Sequence, residues 1–388
     1  MNDKEYLTNK NFCPIPWTGI MYNFDGHIRN CIRSSGPIGN IKENDILEIV
    51  NGDKNNITKK NMMNNQPGER CNPCYELEKN KNSFDIISDR IFYLKELKNI
   101  NKDLYSDSSN FNLHKIDIRW SNLCNFACVY CNSEFSSKWA NELNIVPNLP
   151  SDEQKEKLKA YVLSNVKQLK HVYLAGGEPL LMKENLELLE LLKKENPDTN
   201  LRINTNLSKV DTNIFDLICT FKNVHWIISI ETIEQEYEYI RYGSKWVDFL
   251  DNLKTIQKLN HKVSFNMLHF LLNYQSVFTC IDYLKQLGFH NNSFIAGALT
   301  GPVFLNIRHL PNNMLNLVKE ELVKRVNEKP GFLLENGYRN ILEHINLPIE
   351  KNLAESFRQL KLLDERRGLD STKIFKELYR ENNYGKTI

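Results

Sequence analysis

No apolar stretch in the 388 residues approaches the roughly 20 that a membrane-crossing helix needs. The opening MNDKEYLTNKN is polar and lacks the apolar core of a secretory signal. Net charge is nearly absent as well: 50 Lys and Arg against 48 Asp and Glu leave +2. Bulk electrostatics therefore favours neither nucleic acid nor a membrane surface as partner. There is no internal repeat and no low-complexity tract. What remains is the composition of an ordinary soluble protein, 41% hydrophobic and 25% charged, with a length that suggests two or three domains. Nine cysteines without an export signal point to a reducing cytoplasm, and their clustering points to metal binding rather than disulfides.

Three of them, Cys124, Cys128 and Cys131, stand as C-x3-C-x2-C behind a β-type run, Lys115–Trp120. Thiolates this close make a pocket for a soft metal or a metal–sulfide cluster. Three ligands on a four-iron cube leave one iron without a protein thiolate, an open position of the kind that separates catalytic from structural metal sites. A zinc knuckle completed by a distant His or Cys is the alternative on spacing alone. With Tyr130 just before the last cysteine, the motif resembles the signature of radical SAM enzymes. The resemblance implies a 4Fe-4S cluster whose open iron chelates the amino and carboxylate groups of S-adenosylmethionine. It makes Cys124, Cys128 and Cys131 the catalytic as well as the metal-binding candidates, and puts Tyr130 near the adenine.

The segment 1–110 carries Cys13, Cys31, Cys71 and Cys74. Gly26 suits a hairpin turn between strands Thr18–Tyr22 and His27–Ile32. Four thiolates can close a site completely, as zinc or as an iron–sulfur cluster. Cys13, the Gly26-x4-Cys31 unit, the stretch GPIGNIKENDILEIVNG and the R-C-x2-C ending at Cys74 resemble the twitch form of the SPASM domain. That implies a second, auxiliary 4Fe-4S cluster, placed before the barrel rather than after it. An amphipathic linker helix is expected over Phe84–Leu104, ended by SDSSN at 106–110.

Segment 111–310 alternates strands with helices, six strands in all: 115–120, 171–175, 201–205, 225–230, 262–269 and 293–299. This implies a parallel sheet with right-handed crossovers, too few units for a closed eight-stranded barrel. A partial (β/α)6, TIM-like radical SAM barrel fits the count. Working residues in such folds gather at carboxyl ends of strands. There stand Gly176, Gly177, Glu178 and Pro179, which resemble the radical SAM G-G-E-P motif implied to bind the methionine amino group. Thr205-Asn206 resembles a T-N-G motif with Leu207 in place of the glycine. Ser229-x-Glu231 and Tyr239-x-Arg241 resemble motifs of SPASM-type enzymes, implying Ser229 on the ribose and Arg241 on the methionine carboxylate, where its fork pairs in two places. Asn266 and His269 are placed as candidates facing the pocket. Cys219 and Cys280 read as buried structural thiols, Cys280 being also a candidate hydrogen-atom donor.

Segment 311–388 is expected to form helices near 313–328, 332–345, 352–366 and 371–382, with apolar stripes that cap the barrel edge and a solvated Glu365-Arg366-Arg367 patch. The reading is a radical SAM enzyme, an oxidoreductase or related radical catalyst. It would cleave S-adenosylmethionine reductively to a 5′-deoxyadenosyl radical and take hydrogen from a sugar, aminocyclitol, nucleotide or peptide. A reductant such as a flavodoxin or ferredoxin would supply the electron. The competing class is a non-catalytic, zinc-stabilised α/β binding module.

Overall fold

Period-2 apolar runs become strands and period-3.6 stripes become helices nearly where the sequence places them. The computed structural model describes residues 9–79, 88–97 and 102–380. Contacts divide the chain into a first unit (1–123, 145–204, 211–225) and a second unit (124–144, 205–210, 226–388).

The chain begins with α1 (Ile15–Thr18), β1 (Gly19–Tyr22), β2 (His27–Arg29) and β3 (Gly39–Asn40). Then come α2 (Ile46–Val50), α3 (Asp53–Met63), α4 (Asn72–Lys79) and α5 (Asp89–Leu97). The helix expected over 84–104 is thus α5 followed by a 3-10 turn at Lys102–Tyr105; 84–87 and 98–101 lie outside the described residues. From residue 115 the order is β4 (Lys115–Ile118), α6 (Ser137–Leu143), α7 (Asp152–Ser164), β5 (His171–Leu174), α8 (Lys183–Glu195) and β6 (Asn200–Thr205). It continues with α9 (Asn213–Cys219), β7 (Val224–Ser229), α10 (Glu234–Ile240), α11 (Trp246–Gln257), β8 (Lys262–His269), α12 (Ser276–Gln286) and β9 (Phe294–Ala298). The last helices are α13 (Asn312–Asn327), α14 (Phe332–Asn346), α15 (Leu353–Arg367), α16 (Ser371–Ile374) and α17 (Lys376–Arg380), so the expected helix at 371–382 is two short pieces.

In the first unit the strand order is β3-β2-β1-β4-β5-β6. The expected hairpin is there, β1 antiparallel to β2 with Gly26 at φ +95° in the turn. It does not stand apart: β1 runs parallel to β4, Gly19 opposite Lys115. The parallel ladder through β4, β5 and β6 sets Asp117, Tyr173 and Arg202 in one row. Ile116 and Ile118 on the other face of β4 are buried. A capping box starts α7: Ser151 Oγ accepts from the Gln154 amide at 3.2 Å, and Gln154 Oε1 accepts from the Ser151 amide at 2.9 Å.

In the second unit the order is β7-β8-β9, with β8 and β9 parallel. Along β7, Trp226 and Ile228 are fully buried while Ser229 is half-buried on the opposite face. β9 ends the strand order, and α14 lies against it. A Cβ built on Gly337 of α14 would be 2.6 Å from the Ala296 carbonyl oxygen of β9. The helix therefore approaches the strand backbone directly. Gly337→Val should cost about 1–3 kcal/mol by overpacking this contact; unfolding of the full chain in urea reads it, and an unchanged midpoint would show that α14 is free to shift.

Candidate cluster and cofactor site

The loop Cys124–Cys131 is held by its own backbone. The amides of Ala127 and Val129 donate to the carbonyls of Tyr242 and Ile240, both at 2.8 Å, and the Cys131 amide donates to the Cys128 carbonyl at 2.9 Å. Ser136 caps α6 by accepting from the Trp139 amide, and its hydroxyl donates to the Phe126 carbonyl at 2.6 Å. The Ser137 hydroxyl accepts from the Cys124 amide at 3.1 Å, and Trp139 Nε1 donates to the Cys128 carbonyl at 2.8 Å. A segment without helix or strand thus has its polar groups paired. Cys128 is buried; Cys124 and Cys131 are half-buried. Burial raises the Cys128 thiol while Arg241 pulls it down; burial, then Cys128, pushes Cys131 up to about 12. A soft metal would bind the thiolates and release their protons to solvent, removing that cost, so the donor set fits a cluster.

Beside the loop lies a buried chain of three side chains. Tyr130 donates its hydroxyl to Glu231 Oε1 at 2.9 Å. Arg241 sets Nε on Oε2 at 2.8 Å and Nη2 on Oε1 at 2.6 Å, with side chains only 3% and 2% exposed. The carboxylate held by Arg241 in this structure is therefore Glu231, not one left open for a ligand. Tyr130 also meets Phe270 edge-on, ring centroids 5.8 Å apart. Asn206 points its amide toward Cys124 Sγ at 3.9 Å and to Asn125 Oδ1 at 3.1 Å. Leu207 takes φ +56°, the left-handed region that suits the glycine of the T-N-G pattern. Thr205 Oγ1 accepts its amide at 2.9 Å, Asn252 donates to its carbonyl at 2.9 Å, and its side chain is fully buried.

In the first unit, Gly176 has φ +114°. A Cβ on Gly177 would collide with the backbone of Asn122 and Leu123, so a side chain there would push away the lead-in to the cysteine loop. The Glu178 amide donates to the Leu123 carbonyl at 2.7 Å, and its carboxylate caps the turn Pro179–Leu181 through the Leu180 amide at 3.2 Å.

The same unit gathers the four N-terminal thiols. Cys13 precedes α1, Cys31 follows β2, Cys71 ends the turn Glu69–Cys71 and Cys74 lies in α4. Cys13, Cys31 and Cys71 pack with an aromatic core that includes Phe12, Trp17, Tyr93 and Tyr105. Burial, then Cys71, Cys31 and Cys74, raises Cys13 well above the ordinary thiol value. Burial and then Cys31 push Cys71 to about 12, with Arg90 and Arg70 opposing; burial raises Cys31, with Lys115 opposing. Four neighbouring thiols, with Arg90 and Arg70 acting on Cys71 and Lys115 on Cys31, fit an anionic cluster once deprotonated. Among the described residues no three His, Cys, Asp or Glu side chains close to the spacing of a single metal ion.

Residues 118–284 match the model of the radical SAM superfamily, and residues 13–75 match that of the iron–sulfur cluster-binding SPASM domain. The chain carries a radical SAM domain behind a SPASM domain. Among curated proteins it is 25% identical to GTP 3',8-cyclase of Campylobacter lari over 146 residues, 37% of this chain and 42% of that protein. It is 38% identical to 7-carboxy-7-deazaguanine synthase of Clostridium acetobutylicum over 82 residues, 21% and 31% of the two. The chain thus spans less than half the length of either. Among solved structures it resembles anSMEcpe with bound AdoMet at TM-score 0.41 and 16% identity, covering 54% of this chain and 58% of that one. It also resembles Streptococcus suis SuiB at 0.41 and 15%, covering 78% and 69%. No helix among the described residues is long and apolar enough to cross a membrane.

Two expectations need correction. Asn266 and His269 are an odd number apart on β8 and so point to opposite faces. His269 is on the face of buried Phe265 and Met267, packs edge-on against Phe278 of α12 at 5.2 Å, and directs Nε2 to the Tyr274 carbonyl at 2.9 Å. Burial holds its imidazole down to about 4, so it is a neutral core residue, not a pocket residue. Arg367, expected in solvent, is buried. Cys280 is fully buried, its thiol donating to the Thr232 carbonyl at 3.6 Å, as a structural cysteine should be; Cys219 is half-buried.

Sequence reasoning missed the charged row on β4–β6. Asp117 is buried and accepts from Arg119 Nη1 at 2.5 Å; Arg119 lies 5.9 Å from the Tyr173 ring centroid; Lys115 is buried over Tyr93. The signal was in the sequence: alternate charges in a strand of a parallel sheet, where both faces should be apolar. Glu231, noted there only as part of a motif, is the anion on which Tyr130 and Arg241 converge. Glu231→Gln should destabilise the full chain by about 3–5 kcal/mol because it strands a buried guanidinium. Glu231→Leu with Arg241→Met should recover much of that loss in denaturant unfolding. A single variant as stable as the parent would mean that the pair opens to water.

Proposed function

We propose that this chain is a radical SAM enzyme in which Cys124, Cys128 and Cys131 hold a 4Fe-4S cluster with one iron open to S-adenosylmethionine. The observation that carries the reading is the three-thiol loop inside the matched radical SAM domain, with its backbone pinned to the carbonyls of Ile240 and Tyr242. When bound and reduced, the cluster and cofactor supply the 5′-deoxyadenosyl radical that takes hydrogen from substrate. The chain's part is to position. Gly176 and Gly177 offer backbone to the methionine amino group, with Glu178 and Pro179 shaping that turn, and Ser229 meets the ribose. Asn206 orients the loop through Asn125, and Tyr130 flanks the adenine. Arg241 acts through Glu231 on Tyr130, in place of the carboxylate role expected from its motif.

Cys13, Cys31, Cys71 and Cys74 would close around an auxiliary 4Fe-4S cluster. With four protein thiolates it has no open iron, so its role is electron transfer, for instance from a product radical in a net oxidation. The electron for cofactor cleavage comes from a flavodoxin or ferredoxin. For the substrate we favour a small molecule such as a nucleotide over a peptide; the names of the curated relatives, a GTP cyclase and a deazaguanine synthase, support this.

Anaerobically purified protein should be brown, contain about eight irons per chain if both sites hold four-iron clusters, and form 5′-deoxyadenosine from S-adenosylmethionine under dithionite. Cys128→Ala should abolish that product and leave about four irons. Colourless, zinc-loaded protein that makes no 5′-deoxyadenosine would establish the binding-module reading instead.

A further inference from the structure

The C-terminal helices bear two polar side chains that reach the supports of the cysteine loop. Arg367, near the end of α15, has its guanidinium 4.4 Å from the ring centroid of Trp139 and 4.4 Å from that of Tyr242. It pairs with Glu142 at 3.1 Å and is 1% exposed. Both rings belong to residues that hold the loop: Trp139 donates from its indole Nε1 to the Cys128 carbonyl, and the Tyr242 carbonyl accepts the Ala127 amide. One turn earlier, Asp364 Oδ1 accepts the Tyr239 hydroxyl at 2.9 Å. Its Oδ2 takes the amide and hydroxyl of Ser371 at 2.8 and 2.6 Å. Tyr239 precedes Ile240, whose carbonyl accepts the Val129 amide. α15 therefore touches both walls between which the loop is hung.

We infer that Arg367 is a positioning residue for the Cys124–Cys131 loop, and that α15 and α16 act as a clamp on it. Desolvating a guanidinium is expensive unless its surroundings are built for it. A planar cation between two rings is an arrangement a lysine ammonium cannot copy. A helix that merely covered apolar surface would place leucine there. The functional meaning rests on the cluster reading above; the clamp itself does not.

The test is hydrogen exchange on the full-length, anaerobically purified chain, with a chelator challenge in parallel. In Arg367→Met, amides of the 124–132 peptide should exchange about tenfold faster through local opening, while the 262–269 peptide stays at the parent rate. Arg367→Lys should behave like Arg367→Met, since charge without the planar stack does not bridge the rings. Tyr239→Phe, a milder change that removes only the bond to Asp364, should show a smaller rise at Val129. Chelator should strip the three-cysteine cluster faster in Arg367→Met, with the auxiliary cluster's paramagnetic signal decaying at the parent rate. Unchanged exchange at 124–132, or equal acceleration at 262–269, overturns the clamp. A parent protein with no iron on the three cysteines overturns the functional reading instead, and the exchange result still decides the clamp.

Discussion

The buried pair of Glu231 and Arg241 is the interaction on which the rest of the site turns. Both side chains have given up water, which in a protein interior costs several kcal/mol per ion before pairing returns it. The return here is a two-point fork plus a third donor, the Tyr130 hydroxyl. Because Tyr130 lies between Cys128 and Cys131 in sequence, that network fixes one point of the cysteine loop. The backbone pairs from Ala127 and Val129 to Tyr242 and Ile240 fix two more, on either side of Arg241 itself. A loop of this kind needs such support, since it has no internal helix or strand to hold its shape.

The two sets of thiols differ in number and surroundings. Of the N-terminal four, Cys13, Cys31 and Cys71 pack with an aromatic core, Arg90 and Arg70 act against the rise of Cys71, and Lys115 against that of Cys31. The three of the second unit include two half-buried cysteines and have Arg241 as the main cation acting on Cys128. Four donors can close a site and three leave a position open, so the two sets suit different purposes. Burial raises Cys13, Cys31, Cys71 and Cys74 in one set and Cys128 and Cys131 in the other.

Motif residues were the most legible part of the sequence, because spacing of cysteines and glycines reports local geometry directly. Gly177 is one case: the backbone of Leu123 passes so close that no side chain fits. Strand-and-helix alternation was equally plain, since burial imposes its own period. Partners were harder to read. Arg241 was visible as a functional arginine, but the carboxylate it holds comes from ten residues earlier in the chain and was not assigned to it. Leu207 shows the converse: the glycine of the motif is missing, yet the positive φ survives because Thr205, Asn252 and a buried side chain enforce it. His269 and Asn266 were paired by proximity in sequence when strand parity forbids a shared face.

By itself the sequence determined the family motifs and the six alternating strands of segment 111–310, since each is written in spacing or periodicity along one strand, turn or helix. The tertiary structure decided what joins distant segments: β1 laid beside β4, α14 seated on β9 through Gly337, Arg241 given to Glu231, and Arg367 taken out of solvent to lie between Trp139 and Tyr242. Those outcomes depend on which surfaces meet. A charged side chain's pattern in sequence is the same whether it ends in water or between two rings, and only packing distinguishes the two.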